Sequence, residues 1–437
     1  MESIIIDPPS VCAASQRRHT TWIPLDNAAN IFPSTLSRDQ RHLFRLEFTL
    51  RDAIDPVIFQ QALNIVTTRF PSLVAGLRTG LCWYSLEPVS SAPAVGKDTP
   101  FPMQPMSMQD LKKCCLRVLY DGSKVIVEIF HALCDGNAAM VFIKTLTAEY
   151  LQRRYRISIP CTEGILNRND THFAHELIDN YLLYAGKQAL RRDFAHSFRV
   201  KGTVPCDKSL SITDLTYDET LVHEKARSYG VTVTEFLVAA MMQALVRIQR
   251  QKKRRHHEMP VRIAVPVNLR RFFPSQSIRN FVLSVTIEID PRKGAWSFNE
   301  ICQSVHHQMQ LLITRNEMAS GIATNVSLAS HPLFKALPLF VKSALMRIGY
   351  LVCSTNAACL SISNLGLIKL PKVMQPFVQD ARWMLDANPI SQNGCGILSY
   401  GGKLHICLCR CMVENSLAEA LEEVMLSVLP REYSMIF

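Results

Sequence analysis

The sequence predicts an α+β protein, with mixed sheets and helices layered in two halves. Three observations carry this. Alternating apolar and polar runs are joined by short turn signals, which is the pattern of β-hairpins. Stretches of helical period, several opened by capping residues, alternate with those runs. The same grammar recurs on both sides of 198–210, where Gly202 and Pro205 sit among mixed polar residues. The chain therefore reads as two domains, 1–200 and 201–437. Hairpins in both halves argue against a doubly wound parallel sheet.

In the first half, Phe44, Leu46, Phe48 and Leu50 alternate with Arg45, Glu47 and Thr49. That period of two belongs to a half-buried strand. Asp55-Pro56 combines an N-cap with proline at the first helical position, opening a helix to about Arg69. Residues 73–78 and 81–86 read as strands around Thr79-Gly80. Residues 115–120 and 124–130 form a hairpin around Asp121-Gly122. Helices are expected over 137–154 and 171–197.

In the second half, Thr232 and Glu235 have capping-box spacing before a helix to about Gln251. Strands are expected at 261–267 and 281–289. Ser297 and Glu300 form a second box, opening a helix to about Arg315. Residues 333–352 are apolar enough to read as a buried helix. A short strand at 358–363 ends in Asn364-Leu365-Gly366. Residues 397–400 and 403–412 form a hairpin around Gly401-Gly402, and Ser416 and Glu419 cap the last helix.

Composition narrows the functional classes. With 48% apolar and 19% charged residues among 437, the chain is globular, and neither disordered nor fibrous. At about 150 residues per domain the length suits two or three domains. The net charge of +11 suits an anionic ligand. The basic residues are spread along the chain, apart from one run, Lys252-Lys253-Arg254-Arg255-His256-His257. That run reads as a solvated loop, with contact to a cofactor phosphate as the second reading. It lacks aromatic interleaving, so a phosphorylated small molecule is favoured over nucleic acid.

The 14 cysteines do not form a disulfide framework, because many, such as Cys359, Cys407 and Cys409, lie in apolar strand-like runs. Cys407, Cys409 and Cys411 alternate on one strand face without a partner pair at finger spacing, so no metal site is expected. The opening MESIIIDPPS lacks a signal-peptide pattern. Lys342 and Arg347 interrupt the best membrane-span candidate. The expectation is a reduced, cytoplasmic chain without a transmembrane segment.

Three segments could carry chemistry. In Phe130-His131-Ala132-Leu133-Cys134-Asp135-Gly136 a histidine ends an apolar strand, and a turn and a helix follow. Histidine suits proton transfer near neutral pH. Asp135 could orient His131 directly, or point away and fix the loop through an arginine. Four residues around a tight turn favour the second. The second segment runs from Pro266-Val267-Asn268-Leu269-Arg270 to Arg279-Asn280-Phe281. There Arg270 could pair with a buried carboxylate. In the third, Ser361-Ile362-Ser363-Asn364-Leu365-Gly366, Ser363 and Asn364 could donate to a developing oxyanion. Cys134 has no orienting third group nearby and is not assigned as a nucleophile.

Taken in order, these segments resemble the CoA-dependent acyltransferase superfamily. It includes chloramphenicol acetyltransferase and peptide-synthetase condensation domains, and the nearest likeness is to the bacterial alcohol acetyltransferase-like branch. Trp22-Ile23-Pro24-Leu25-Asp26-Asn27-Ala28-Ala29 resembles that branch's opening. The resemblance implies two chloramphenicol acetyltransferase-like domains with mixed sheets and an interdomain tunnel. It implies His131 as general base and Asp135 as the carboxylate paired with Arg270. Gly136, Asn268, Asn280, Ser363 and Asn364 then have structural or substrate-binding roles. Many members carry two histidines, and Phe130 stands at the first; the second is the base in the family.

The implied reaction moves an acyl group, acetyl in the simplest case, from acyl-CoA to a small alcohol or amine, without a covalent enzyme intermediate. Acyl-CoA is a co-substrate, and no permanently bound cofactor is expected. The alternatives are a donor carried on an acyl-carrier protein, or a catalytically silent scaffold of the same fold.

Overall fold

The structure, a computed structural model, describes residues 22–37, 39–170, 174–186, 196–251, 258–388 and 391–429. The basic run at 252–257 and the opening residues 1–21 lie outside the described residues.

The first half runs β1 (Ile23–Pro24), α1 (Ile31–Thr35), β2 (Leu43–Leu50), α2 (Pro56–Thr67), β3 (Ala75–Thr79), β4 (Tyr84–Pro88), β5 (Gly96–Lys97), α3 (Met108–Lys113), β6 (Leu116–Asp121), β7 (Lys124–Phe130), α4 (Gly136–Tyr155) and α5 (Asn180–Tyr184). The second runs β8 (Ser211–Asp218), α6 (Glu219–Ser228), α7 (Val233–Gln251), β9 (Val261–Asn268), β10 (Val282–Ile289), α8 (Phe298–Leu312), α9 (Arg315–Ser330), α10 (Pro332–Ala336), α11 (Leu339–Ala357), β11 (Leu360–Leu367), β12 (Val378–Leu385), β13 (Asn393–Tyr400), β14 (Lys403–Arg410) and α12 (Ser416–Val428).

Two mixed sheets organise the chain. One has the order β12-β2-β7-β6-β5, the other β10-β9-β11-β13-β14-β8, and a small sheet β1-β4-β3 flanks the first. Each large sheet anchors its own apolar core. Strand β11 lies parallel to β9 and β13, while the remaining neighbours in its sheet are antiparallel. Strand β12 comes from late in the chain yet pairs with β2, with Trp383 opposite Leu46.

Local chemistry explains the element ends. The Asp55 carboxylate accepts from the backbone N–H groups of Val57 and Ile58 at 2.9 and 3.1 Å, which caps α2. Thr232 and Glu235 exchange reciprocal bonds at the start of α7, as do Ser297 and Glu300 at α8. The β6–β7 hairpin turns at Gly122, whose φ of 53° favours glycine.

Four expectations change. Strand β2 is buried on both faces, because Arg45 donates to Glu47, Asp98 and Glu128 at 2.6–3.0 Å and neutralises its polar side. The helix expected over 171–197 is broken within its described part. The Asp179 side chain caps α5 by accepting from the Tyr181 N–H at 3.0 Å, and Gly186 leaves helical geometry to donate to the Ala319 carbonyl at 3.0 Å. The buried helix expected over 333–352 is two helices, α10 and α11, separated at Leu337-Pro338, and one side of α11 is exposed. Asn415, and not Ser416, occupies the N-cap position of α12, without a side-chain cap bond.

Among the described residues no single helix is long and apolar enough to cross a membrane.

Candidate active site

Strand β7 ends at Phe130, and His131 leaves it with its N–H donating to the His42 carbonyl at 2.8 Å. The His131 ring is packed by Phe32, stacked at 4.7 Å, and by Phe44, edge-on at 5.1 Å. Its Nδ1 lies 3.2 Å from Asn280 Oδ1. The Asn280 amide nitrogen donates to the His131 carbonyl at 3.0 Å and to Asp26 Oδ2 at 3.1 Å. With that nitrogen engaged, the Asn280 oxygen faces Nδ1, which therefore carries the ring proton. The lone pair is left on Nε2, the arrangement a general base needs. Burial lowers the histidine pKa below its ordinary value, against the opposing effects of its own carbonyl, Asp135 and Asn280. The ring is therefore held neutral.

Asp135 points away from this ring. One carboxylate oxygen accepts from the Ala138 N–H at 3.0 Å and caps α4. The other accepts from Arg270 Nη1 at 2.6 Å and from the Phe281 N–H at 2.9 Å. Arg270 also donates to the Ser277 and Arg279 carbonyls at 2.7–3.2 Å and, through Nη1, to Asn268 Oδ1 at 3.4 Å. Asn268 accepts from the Arg270 N–H at 3.1 Å and so caps the short turn that presents the guanidinium. Gly136 is required by space: a Cβ there would lie 2.9 Å from the Trp383 ring and 3.1 Å from Leu365.

A cavity of about 780 Å³ opens between elements of the two halves. His131, Asp135, Gly136, Asn268, Ser363 and Asn364 line it. Arg270 and Asn280 stand behind that wall, holding Asp135 and His131. Asn364 donates to Thr234 Oγ1 at 3.0 Å and accepts from the Gly366 N–H at 2.8 Å, so part of its hydrogen-bonding capacity is committed to shaping the turn. The Ser363 hydroxyl has no partner among the described residues and is the freer donor on that wall. Cys134 is fully buried, and burial pushes its thiol well above the ordinary value, which disfavours the thiolate.

Sequence reasoning missed three groups. Asp26 is fully buried and fixes the Asn280 amide; burial raises its carboxyl to about 6, although Arg279 opposes the shift. His42, at a φ of 52°, lines the cavity near His131, and its Nε2 lies 2.8 Å from Thr35 Oγ1. Burial and the neighbouring His131 lower it to about 4. Asp386 also lines the cavity, accepts from the His42 N–H at 3.0 Å and is raised by burial to about 7. Asp26 had a faint signal, a lone acid in the apolar opening from Ile23 to Leu25. His42 and Asp386 had none, because only tertiary packing brings them together.

This arrangement of two mixed sheets is the fold of two-domain condensation and acyltransferase proteins. Three solved structures share it across nearly the whole chain. Polyketide synthase associated protein 5 from Mycobacterium tuberculosis is 14% identical, with a TM-score of 0.59, over 92% of this chain and 97% of that one. The trichothecene 15-O-acetyltransferase from Fusarium sporotrichioides is 11% identical, with a TM-score of 0.60, over 93% and 94%. The epimerization domain from the third module of tyrocidine synthetase B is 12% identical, with a TM-score of 0.58, over 93% and 97%.

The sequence resemblance is more specific over one segment: residues 207–286 match the family described as alcohol acetyltransferase. That segment contains Asn268, Arg270 and Asn280. The likeness to acyltransferases is thus found in the fold of the chain and in the sequence of this segment. No curated protein sequence matches the chain.

Proposed function

We propose that this protein transfers an acyl group, acetyl in the simplest case, from acyl-CoA to a hydroxyl or amine acceptor. The observation that carries the reading is the His131–Asn280 pair, which puts the ring proton on Nδ1 and leaves Nε2 as the base.

His131 Nε2 takes the acceptor proton as the acceptor oxygen or nitrogen attacks the thioester carbonyl. The carbonyl oxygen becomes an oxyanion, to which Ser363, with Asn364, donates in this reading. The oxyanion collapses, the C–S bond breaks, and the departing CoA thiolate takes the proton back from His131. No bond forms between enzyme and acyl group. Asp135, Arg270, Asn268 and Gly136 hold the histidine loop against the second half of the chain.

The test is release of free thiol from acyl-CoA in the presence of pooled alcohols and amines, for the native chain and for His131→Ala. Turnover that requires both an acceptor and His131 supports the reading. Undiminished turnover in His131→Ala removes the base.

A second reading keeps the chemistry and changes the donor to an acyl group on a carrier-protein arm. It is favoured by the likeness to a synthetase domain across 93% of this chain. Transfer from an acylated carrier protein, with none from acyl-CoA, would select it. Binding without transfer from either donor would select a silent scaffold.

A further inference from the structure

Helix α11 contradicts its own composition. A helix apolar on all sides is ordinarily buried, yet this one leaves about half its circumference open. At about 100° per residue, Phe340, Ala344, Leu345, Ile348, Leu351 and Val352 share one sector, and all are exposed. Phe340 is 75% exposed and Ile348 60%. Arg347 is the one charged residue at the edge of that sector, and Leu333 extends the apolar surface onto α10 at 74% exposure.

The opposite face is engaged. Lys342 donates to the Cys82 and Lys335 carbonyls at 3.0 and 2.9 Å and sits 3.6 Å from the Trp83 ring centre. Ser343 and Met346 touch Ser34 of α1, and the Tyr350 ring meets His42. The open sector is therefore fixed in orientation by its inner contacts.

Charge identifies what covers it. Residues 318–379 contain no Asp or Glu, and they carry Lys335, Lys342, Arg347, Lys369 and Lys372. Lys335 and Arg347 are exposed and border the apolar sector. A second copy packed on this face about a twofold axis would bring like charges together with no carboxylate from this stretch to offset them. An anionic bilayer surface meets both demands, since apolar side chains enter the acyl boundary and basic ones meet headgroups.

We propose that the α10–α11 face docks on anionic lipid surfaces, with α11 lying in the plane of the interface. Helix α1 links α11 to His131, because Ser34 of α1 touches Ser343 of α11 and Phe32 of α1 stacks on that ring. Docking therefore sets the cavity beside the lipid, where acyl donors or acceptors with long apolar chains partition.

The test is sedimentation of the full chain with phosphatidylcholine vesicles, and with vesicles that also contain phosphatidylglycerol. The native chain should sediment with the anionic vesicles and much less with the neutral ones. Ile348→Glu with Leu351→Glu should abolish binding while melting temperature stays unchanged, since both side chains are exposed. Lys335→Glu with Arg347→Glu should remove the preference for phosphatidylglycerol. No binding by the native chain overturns the proposal, as does undiminished binding by the Ile348/Leu351 variant. A native dimer that this variant converts to monomer, with no vesicle binding, assigns the face to a second copy instead. Sedimentation is read without turnover, so its outcome is separate from that of the acyl-transfer assay.

Discussion

Arg270 donates to the Asp135 carboxylate at 2.6 Å, joining residues 135 positions apart and tying the histidine loop to the second half of the chain. The pair is largely buried, with side-chain exposures of 17% and 2%. Removing one partner strands the other's charge.

Asp135→Asn and Arg270→Ala should therefore each lose about 3–5 kcal/mol of stability, together with transfer rate. The double variant should lose less than the sum, because the second substitution no longer strands a charge. Urea unfolding of the four proteins measures this coupling. Additive losses would show that the two groups stabilise the loop independently.

His131→Ala should keep the fold and lower acyl transfer by at least about 10²-fold. The native rate should rise with pH as the ring loses its proton. Since burial lowers that pKa, the rise should centre below the ordinary histidine range. A pH–rate profile with a midpoint above that range would contradict a ring held neutral by burial.

Gly136→Ala should reduce both stability and transfer, because the new methyl meets the Trp383 ring at 2.9 Å. Trp383→Leu in the same chain should recover part of the melting temperature by opening that space. The Trp383 Nε1 is buried without a hydrogen-bond partner, so its removal strands no polar group. Failure of the second substitution to raise the melting temperature would place the clash elsewhere.

Asp386→Asn tests the raised carboxyl. A group whose folded pKa is about 7 holds its proton in the native state while the unfolded chain has lost it. That stability is complete below about pH 4 and disappears as pH rises through 7. Asparagine does not titrate there. The stability difference should therefore move in the variant's favour between pH 4 and 7, by up to about 1.4 kcal/mol per pH unit. Urea unfolding at pH 5, 6 and 7 measures it, and a flat difference would return Asp386 to an ordinary acid.

Cys134→Ala should leave transfer and its pH profile unchanged, because the thiol is buried and held protonated. Loss of turnover with an intact fold would reopen a thiol role.

Parts of this molecule are readable from short range. Alternation along 44–50 locates β2, and capping residues locate the starts of α2, α7 and α8. The His131 loop and Arg270 are visible because each sits at a strand end next to a turn residue; Ser363 is visible through the Asn364-Leu365-Gly366 turn signal, although β11 continues past it to Leu367. What escapes are relationships made only by packing. Nothing around Arg45 reveals that Glu128, 83 residues away, neutralises it. The pattern over 171–197 overstates its helix because Asp179 serves as a cap and Gly186 as a contact. The burial of α11 is overstated because apolar composition expresses only a preference, while the fold leaves one side uncovered.

Strand β12 has a consequence for biosynthesis. Leu46 of β2 is made 337 residues before its partner Trp383. Until β12 emerges from the ribosome, β2 has β7 on one side and an open edge on the other. Open edges invite pairing with other chains. The nascent first half should therefore need shielding until β12 follows, and a fragment ending near residue 200 should aggregate when expressed alone. Supplying 201–437 in the same cell should restore its solubility, because that piece brings the missing strand.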